Sequence, residues 1–136
     1  MLTRVVPGLT MMLAATVALA AGGIEVRRGA DKVEYGSCVP SLTVANKSNE
    51  TIDYLQVDLA IALGNGQQRT VELKSAYREG VHYPIEPGGT AILRQHLDTE
   101  AALGVPCGDL KARHVLRTIC QDRSGKACAS AVSVEP

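Results

Sequence analysis

The stretch Leu55-Gln56-Val57-Asp58-Leu59-Ala60-Ile61-Ala62-Leu63 decides the fold. Leu55, Val57, Leu59, Ile61 and Leu63 occupy every second position and alternate with Gln56, Asp58, Ala60 and Ala62. That period belongs to a β-strand with one strongly apolar face; a helix would place its apolar residues three and four apart. Gly64-Asn65-Gly66 follows directly and is a hairpin signal, because Asn-Gly readily takes the positive φ of a tight turn. Arg69 to Leu73 returns with Val71 and Leu73 on one face.

The same punctuated pattern continues in both directions. Upstream, Ile24 to Arg28 and Lys32 to Tyr35 read as short strands, and Ser41 to Ala45 puts Leu42 and Val44 on one face. Asn46-Lys47-Ser48-Asn49-Glu50 is a polar turn before the long strand. Downstream, Tyr83-Pro84-Ile85-Glu86-Pro87-Gly88-Gly89 is a rigid turn whose prolines bar a central strand. Thr90 to Leu97 is the next strand, and residues 98–104 read as one helical turn capped by Asp98 and ended by Gly104. Leu110 to Cys120 is a strand whose alternation slips near His114 and Val115, the mark of a bulge. Lys126 to Val134 closes the last hairpin. Six to eight short strands with no sizeable helix predict an all-β, two-sheet antiparallel sandwich of about 6–8 strands; an up-and-down barrel is the lesser alternative.

The leader sets the compartment. Arg4 supplies a positive start, Val5 to Val17 an apolar stretch too short to span a bilayer, and Ala18-Leu19-Ala20 a cleavage signal. Residues 1–20 are therefore expected to be a cleaved signal peptide and 21–136 a single domain, exported to a bacterial periplasm or beyond. The chain of 136 residues carries 14 basic and 14 acidic side chains, so it has no footprint for nucleic acid or an anionic membrane. No later stretch is apolar enough to span a membrane. With no Trp and no Phe, the core must come from Val, Leu, Ile and Ala.

Four cysteines, Cys38, Cys107, Cys120 and Cys128, fit an oxidising address and predict disulfides. Three pairings can be drawn. The turn chemistry of Cys120-Gln-Asp-Arg-Ser-Gly-Lys-Ala-Cys128 favours joining its two ends, which leaves Cys38 with Cys107. No Cys-x-x-Cys occurs and His82, His96 and His114 are not at ligand spacing, so neither metal nor cofactor is expected.

Catalytic machinery is not legible. There is no Gly-x-Ser-x-Gly elbow, no carboxylate pair set for acid–base work and no phosphate loop between strand and helix. The chain reads as a non-enzyme. Two surface features could serve binding. Tyr77, Arg78, His82 and Tyr83 cluster residue types that anchor interfaces, although filling the rim of a Phe-free sandwich is the more ordinary role for the tyrosines. Lys111 and Arg113 share a face, with Arg117 further along and Arg94 of the same kind, giving a mild anion-attracting strip or a solvated outer face. An unpaired edge strand is a third route to a partner.

The segments SCVPSLTVANKSNETI, TIDYLQVDLAIALGNGQ, PIEPGGTAIL, VPCGDL and TICQDRSGKAC together resemble the small exported fibronectin-type-III-like proteins of the IrmA family. The resemblance covers nearly all of the chain after the leader, and none of its pieces is a catalytic motif. It implies a fibronectin- or immunoglobulin-like sandwich, disulfide bridging, strand-exchanged homodimers and a protein-binding role. It carries over only the four cysteines, as structural residues. The expectation is thus a non-enzymatic envelope binding module acting through protein–protein contact; the alternative is a periplasmic inhibitor or immunity protein that blocks a toxin or hydrolase.

Overall fold

A computed structural model describes Gly8, residues 22–75, 77–78 and 81–136, with the backbone alone at 77, 78, 81 and 82. The expected leader, Gly8 apart, lies outside the described residues. The described residues form eleven strands: β1 Ile24–Arg28, β2 Lys32–Glu34, β3 Ser37–Val39, β4 Ser41–Asn46, β5 Ile52–Leu63, β6 Gln68–Lys74, β7 Tyr77–Arg78, β8 Val81–His82, β9 Thr90–Arg94, β10 Leu110–Asp122 and β11 Val132–Glu135. Helical structure among the described residues is limited to one 3-10 turn, Cys107–Asp109.

Seven strands form one sheet in the order β10-β5-β6-β9-β4-β1-β11, while β2-β3 and β7-β8 are separate two-stranded pieces. The ladder is nearly interrupted at β6–β9, where only Lys74 pairs with Arg94. On one side of that junction lie β10, β5 and β6; on the other lie β9, β4, β1 and β11. Leu55, Leu59 and Ile61 of the first group and Ile24, Leu42 and Leu93 of the second are fully buried in a single core cluster. The sheet therefore turns back on itself in a sandwich- or barrel-like arrangement, with β5 between β10 and β6 in the first group. The alternation in β5 works as expected: its even-numbered residues Tyr54, Gln56 and Asp58 take the opposite face. At the following hairpin Gly66 alone has positive φ (83°), and its N–H donates to the Leu63 carbonyl at 3.0 Å. This is the three-residue loop with a left-handed glycine.

Two expectations are corrected. The sheet is mixed, because β11 runs parallel to β1 from Ile24↔Val132 to Arg27↔Glu135. The last hairpin closes only as far as Cys128, whose N–H donates to the Cys120 carbonyl at 3.0 Å. The Glu50 carboxylate then holds Ala129 and Ser130, accepting from Ser130 Oγ at 2.6 Å and from the two backbone N–H groups at 2.8 and 3.2 Å. Next, the Ile24 N–H takes the Ala131 carbonyl at 2.9 Å. The chain is thus drawn across to β1. Gly23 permits that approach, since a Cβ there would lie 2.8 Å from the Ala131 oxygen. The helical turn expected over 98–104 is the second correction. The His96 carbonyl accepts from the Thr99 and Glu100 N–H groups, but no helical ladder follows. Gln95 Nε2 holds the Ala101 carbonyl and Glu100 reaches the Glu72 N–H, so tertiary bonds set the path instead. Thr99 Oγ1, not Asp98, bonds this turn.

Candidate binding surfaces

The basic strip is divided between two faces. Arg113 pairs in register with inward-facing Ile61, whereas Arg117 pairs with outward-facing Asp58. The switch comes from a bulge between Val115 and Arg117, close to where the alternation slips in the sequence. Arg113, its side chain only 3% exposed, grips Asp31 with both guanidinium NH2 groups at 2.8 and 3.2 Å. Burial opposes charge on Asp31, but Arg113 and Arg28 hold its carboxyl below the usual carboxylate range. Arg117 Nε reaches Asp58 at 2.9 Å, and the Asp58 carboxylate also accepts from Gln56 Nε2 at 2.7 Å. Tyr54 Oη bonds Gln56 Oε1, completing a polar row along the outer face of β5. Lys111 donates to the Gly108 carbonyl at 2.8 Å. These cations have partners within the fold, so no open anion strip runs along β10.

Of the four residues marked as an interaction surface, Tyr77 and His82 are opposed in the small β7–β8 ladder, next to the pair Arg78↔Val81. Their side chains lie outside the described residues. Tyr83 is 52% exposed and stands at the rim of a groove of about 720 Å³. Pro84, Ile85 and Ile92 form the apolar wall, and Lys74, Arg94, Gln95 and His96 supply polar groups. The sequence reading missed this grouping. Its signal was the alternation of Thr90, Ile92 and Arg94 on the outer face of β9, legible once β9 was known to abut β6 at Lys74.

A second feature is an edge. β10 ends the sheet order, and among the described residues its outer side is met only near its C-terminus, through Gln121↔Ala127, Cys128 and Lys126. From Leu110 to Thr118, no strand among the described residues pairs with that side. The Cys120 carbonyl points to the edge, so the period of two directs the Thr118 N–H and C=O there as well. Leu116, left without a register partner by the bulge, is 57% exposed beside exposed Val115.

Both disulfides are present, Cys38–Cys107 and Cys120–Cys128, the pairing that the turn chemistry favours. Asp31 lies close to the first, but sulfurs held in a bridge are not thiolate ligands. No helix among the described residues is long and apolar enough to cross a membrane. The two bridges fit an oxidising compartment.

The molecule is thus a disulfide-bridged, nearly all-β domain in which one side of β10 is unpaired among the described residues over most of its length. Its fold is similar to that of IrmA from Escherichia coli: the TM-score is 0.53 over 82% of this chain and 90% of that one, at 11% sequence identity. The relationship is a distant one of fold. No family model matches the sequence, and no curated protein does.

Proposed function

We propose that this protein is a non-enzymatic, exported envelope module that acts by protein–protein contact, with the free edge of β10 as its docking strand. The observation that carries the reading is the run from Leu110 to Thr118, whose outer side no strand among the described residues pairs, beside exposed Val115 and Leu116. A partner strand added there gains main-chain hydrogen bonds from the ladder and specificity from the side chains at the bulge. The disulfides support an exported, periplasmic or secreted, setting. We read the fold as a fibronectin-type-III- or immunoglobulin-like sandwich. Support comes from β1, β4 and β9 lying together while β6, β5 and β10 make the other layer.

Thr118→Pro tests this. Proline removes the outward N–H of an edge strand and leaves the β5 ladder untouched. In capture from envelope extract at micromolar bait, the parent and Thr118→Val should retain one discrete partner, and Thr118→Pro should lose at least about tenfold in affinity. Failure of the parent to retain any protein, or equal retention by Thr118→Pro, overturns the reading. Sedimentation separates the strand-exchanged homodimer: a parent dimer that Thr118→Pro dissociates would assign the edge to self-pairing instead.

A further inference from the structure

We propose that the groove at the β6–β9 junction binds a carboxylate carried beside a peptide N–H and an apolar side chain, as in an acidic or C-terminal segment of a polypeptide. Lys74 and Arg94 are directly opposed in register, so their side chains leave the sheet on the same face. It is the outer face, because the neighbouring Leu73 and Leu93 are fully buried in the core. Like charges directly opposed are unfavourable. Glu72 offsets one of them, at 2.8 Å from Lys74 Nζ. Arg94 has no ion pair or side-chain hydrogen bond to another described residue, and its Nε is buried without a partner.

Beside it, Gln95 is only 6% exposed. Its amide orientation is set by the 2.9 Å bond that Nε2 donates to the Ala101 carbonyl, which leaves Oε1 as the buried atom without a partner. Arg94 and Gln95 both line the groove, and each carries one buried polar atom without a partner, a donor on Arg94 and an acceptor on Gln95. Buried groups of this kind carry a free-energy penalty until something bonds them. A bare inorganic anion would satisfy Arg94 and leave Gln95 Oε1 unmet. A peptide unit with a nearby carboxylate satisfies both, its N–H donating to Gln95 Oε1 and its carboxylate accepting from Arg94. Tyr83, Pro84, Ile85 and Ile92 then offer an apolar wall for the adjoining side chain. The volume is in the range of sites that enclose small ligands.

The inference does not rest on the β10 edge, and the two fail separately: Thr118→Pro leaves the groove residues in place, and Arg94→Gln leaves the edge. The test titrates two probe pairs into isotope-labelled protein and follows amide shifts. N-acetyl-Leu-Phe is compared with its C-terminal amide, and N-acetyl-Phe-Asp-amide with N-acetyl-Phe-Asn-amide. At least one acid should bind at least about tenfold tighter than its neutral twin. Its shifts should centre on Tyr83, Ile92, Arg94 and Gln95. The pair that shows the difference reveals whether a terminus or a side chain supplies the carboxylate. Arg94→Gln should remove the preference and Arg94→Lys should keep part of it. Ile92→Asp, at a position exposed enough to spare the fold, should repel both acids. Equal binding of acid and neutral twin, no binding by either acid, or an unchanged preference in both Arg94→Gln and Ile92→Asp overturns the proposal.

Discussion

Asn46 shows how much one side chain can hold together. Its Nδ2 donates to the Glu50 and Ile85 carbonyls at 2.8 and 3.0 Å. Its Oδ1 accepts from the Ser48 N–H and Ser48 Oγ at 3.1 and 2.6 Å. The side chain uses its full capacity of two donors and two acceptor sites while almost wholly buried. Its backbone also bonds Gly88 and Gly89, so the end of β4, the turn to β5 and the Pro-Gly turn meet here. Asn46→Ala strands buried donors at Ser48 and should lower stability by about 2–4 kcal/mol. For a domain of this size that is a fall in Tm on the order of 10–20 °C. Asn46→Asp should do worse at neutral pH, because it loses both donors and buries a charge beside carbonyl oxygens. Paired thermal melts check this, and a loss below about 1 kcal/mol would show that water replaces the network. The polar turn from Asn46 to Glu50 is legible in the sequence; that its first residue is a buried hub is not, since the Ile85 carbonyl lies 39 positions away.

At the scale of elements, the free side of β6 before Lys74 is met by a loop instead of a strand. Glu100 Oε1 accepts the Glu72 N–H at 3.1 Å, and Arg69 reaches the Ala102 carbonyl at 3.4 Å. Burial pushes the Glu100 carboxyl above its ordinary 4.5; the charge on Glu72 adds to this, while the Glu72 N–H, Lys74 and His96 act against it. Its Oε2 is buried without a partner. A carboxyl raised in the fold takes up its proton first in the folded form, so the burden of its charge is full above the folded pKa. That burden fades as the pH falls toward 4.5. Glu100→Gln should therefore raise Tm at pH 7 by about 1–3 °C, with the gain shrinking as pH falls to about 4.5. A gain that grows toward acid would refute the assignment. The carboxyls of Asp31, Glu50 and Asp122 are lowered, so what they contribute is held at neutral pH and lost as pH falls through their folded values. Legibility follows the same line between local and distant. β5 is legible because every second residue enters one core, and the bulge in β10 shows as slipped alternation. Glu100 drawn to β6, Arg113 turned inward to Asp31 and β11 carried to β1 by Glu50 depend on partners 28, 82 and 80 positions away. No local pattern encodes those distances.

For the whole molecule, the two bridges sit where the sheet gives least support. Cys38–Cys107 fastens the β2–β3 hairpin to the 3-10 turn ahead of β10, across a separation of 69 residues. Cys120–Cys128 spans 8 residues and clamps the last point at which the chain stays with β10 before crossing to β1. If the bridges act mainly by restricting the unfolded chain, the long ring contributes about 4.4 kcal/mol and the short one about 2.6. Native contacts widen the gap. Cys38 is fully buried in the core, whereas the short ring encloses a turn already held by Asp122, whose Oδ1 accepts from Ser124 Oγ at 2.6 Å and the Ser124 N–H at 2.8 Å. The Cys38→Ala/Cys107→Ala pair should therefore destabilise more than Cys120→Ala/Cys128→Ala, by about 2 kcal/mol in urea titrations. Thiol titration of the denatured parent should find no free sulfhydryl. The shorter ring has a different signature: opening it should leave the urea midpoint less changed and speed proteolytic nicking between β10 and β11, where the seam between the layers has no strand ladder beyond Cys128. A larger global loss from the short ring would mean that the crossing of β11 to β1, not the entropy of the unfolded chain, is what that bridge protects.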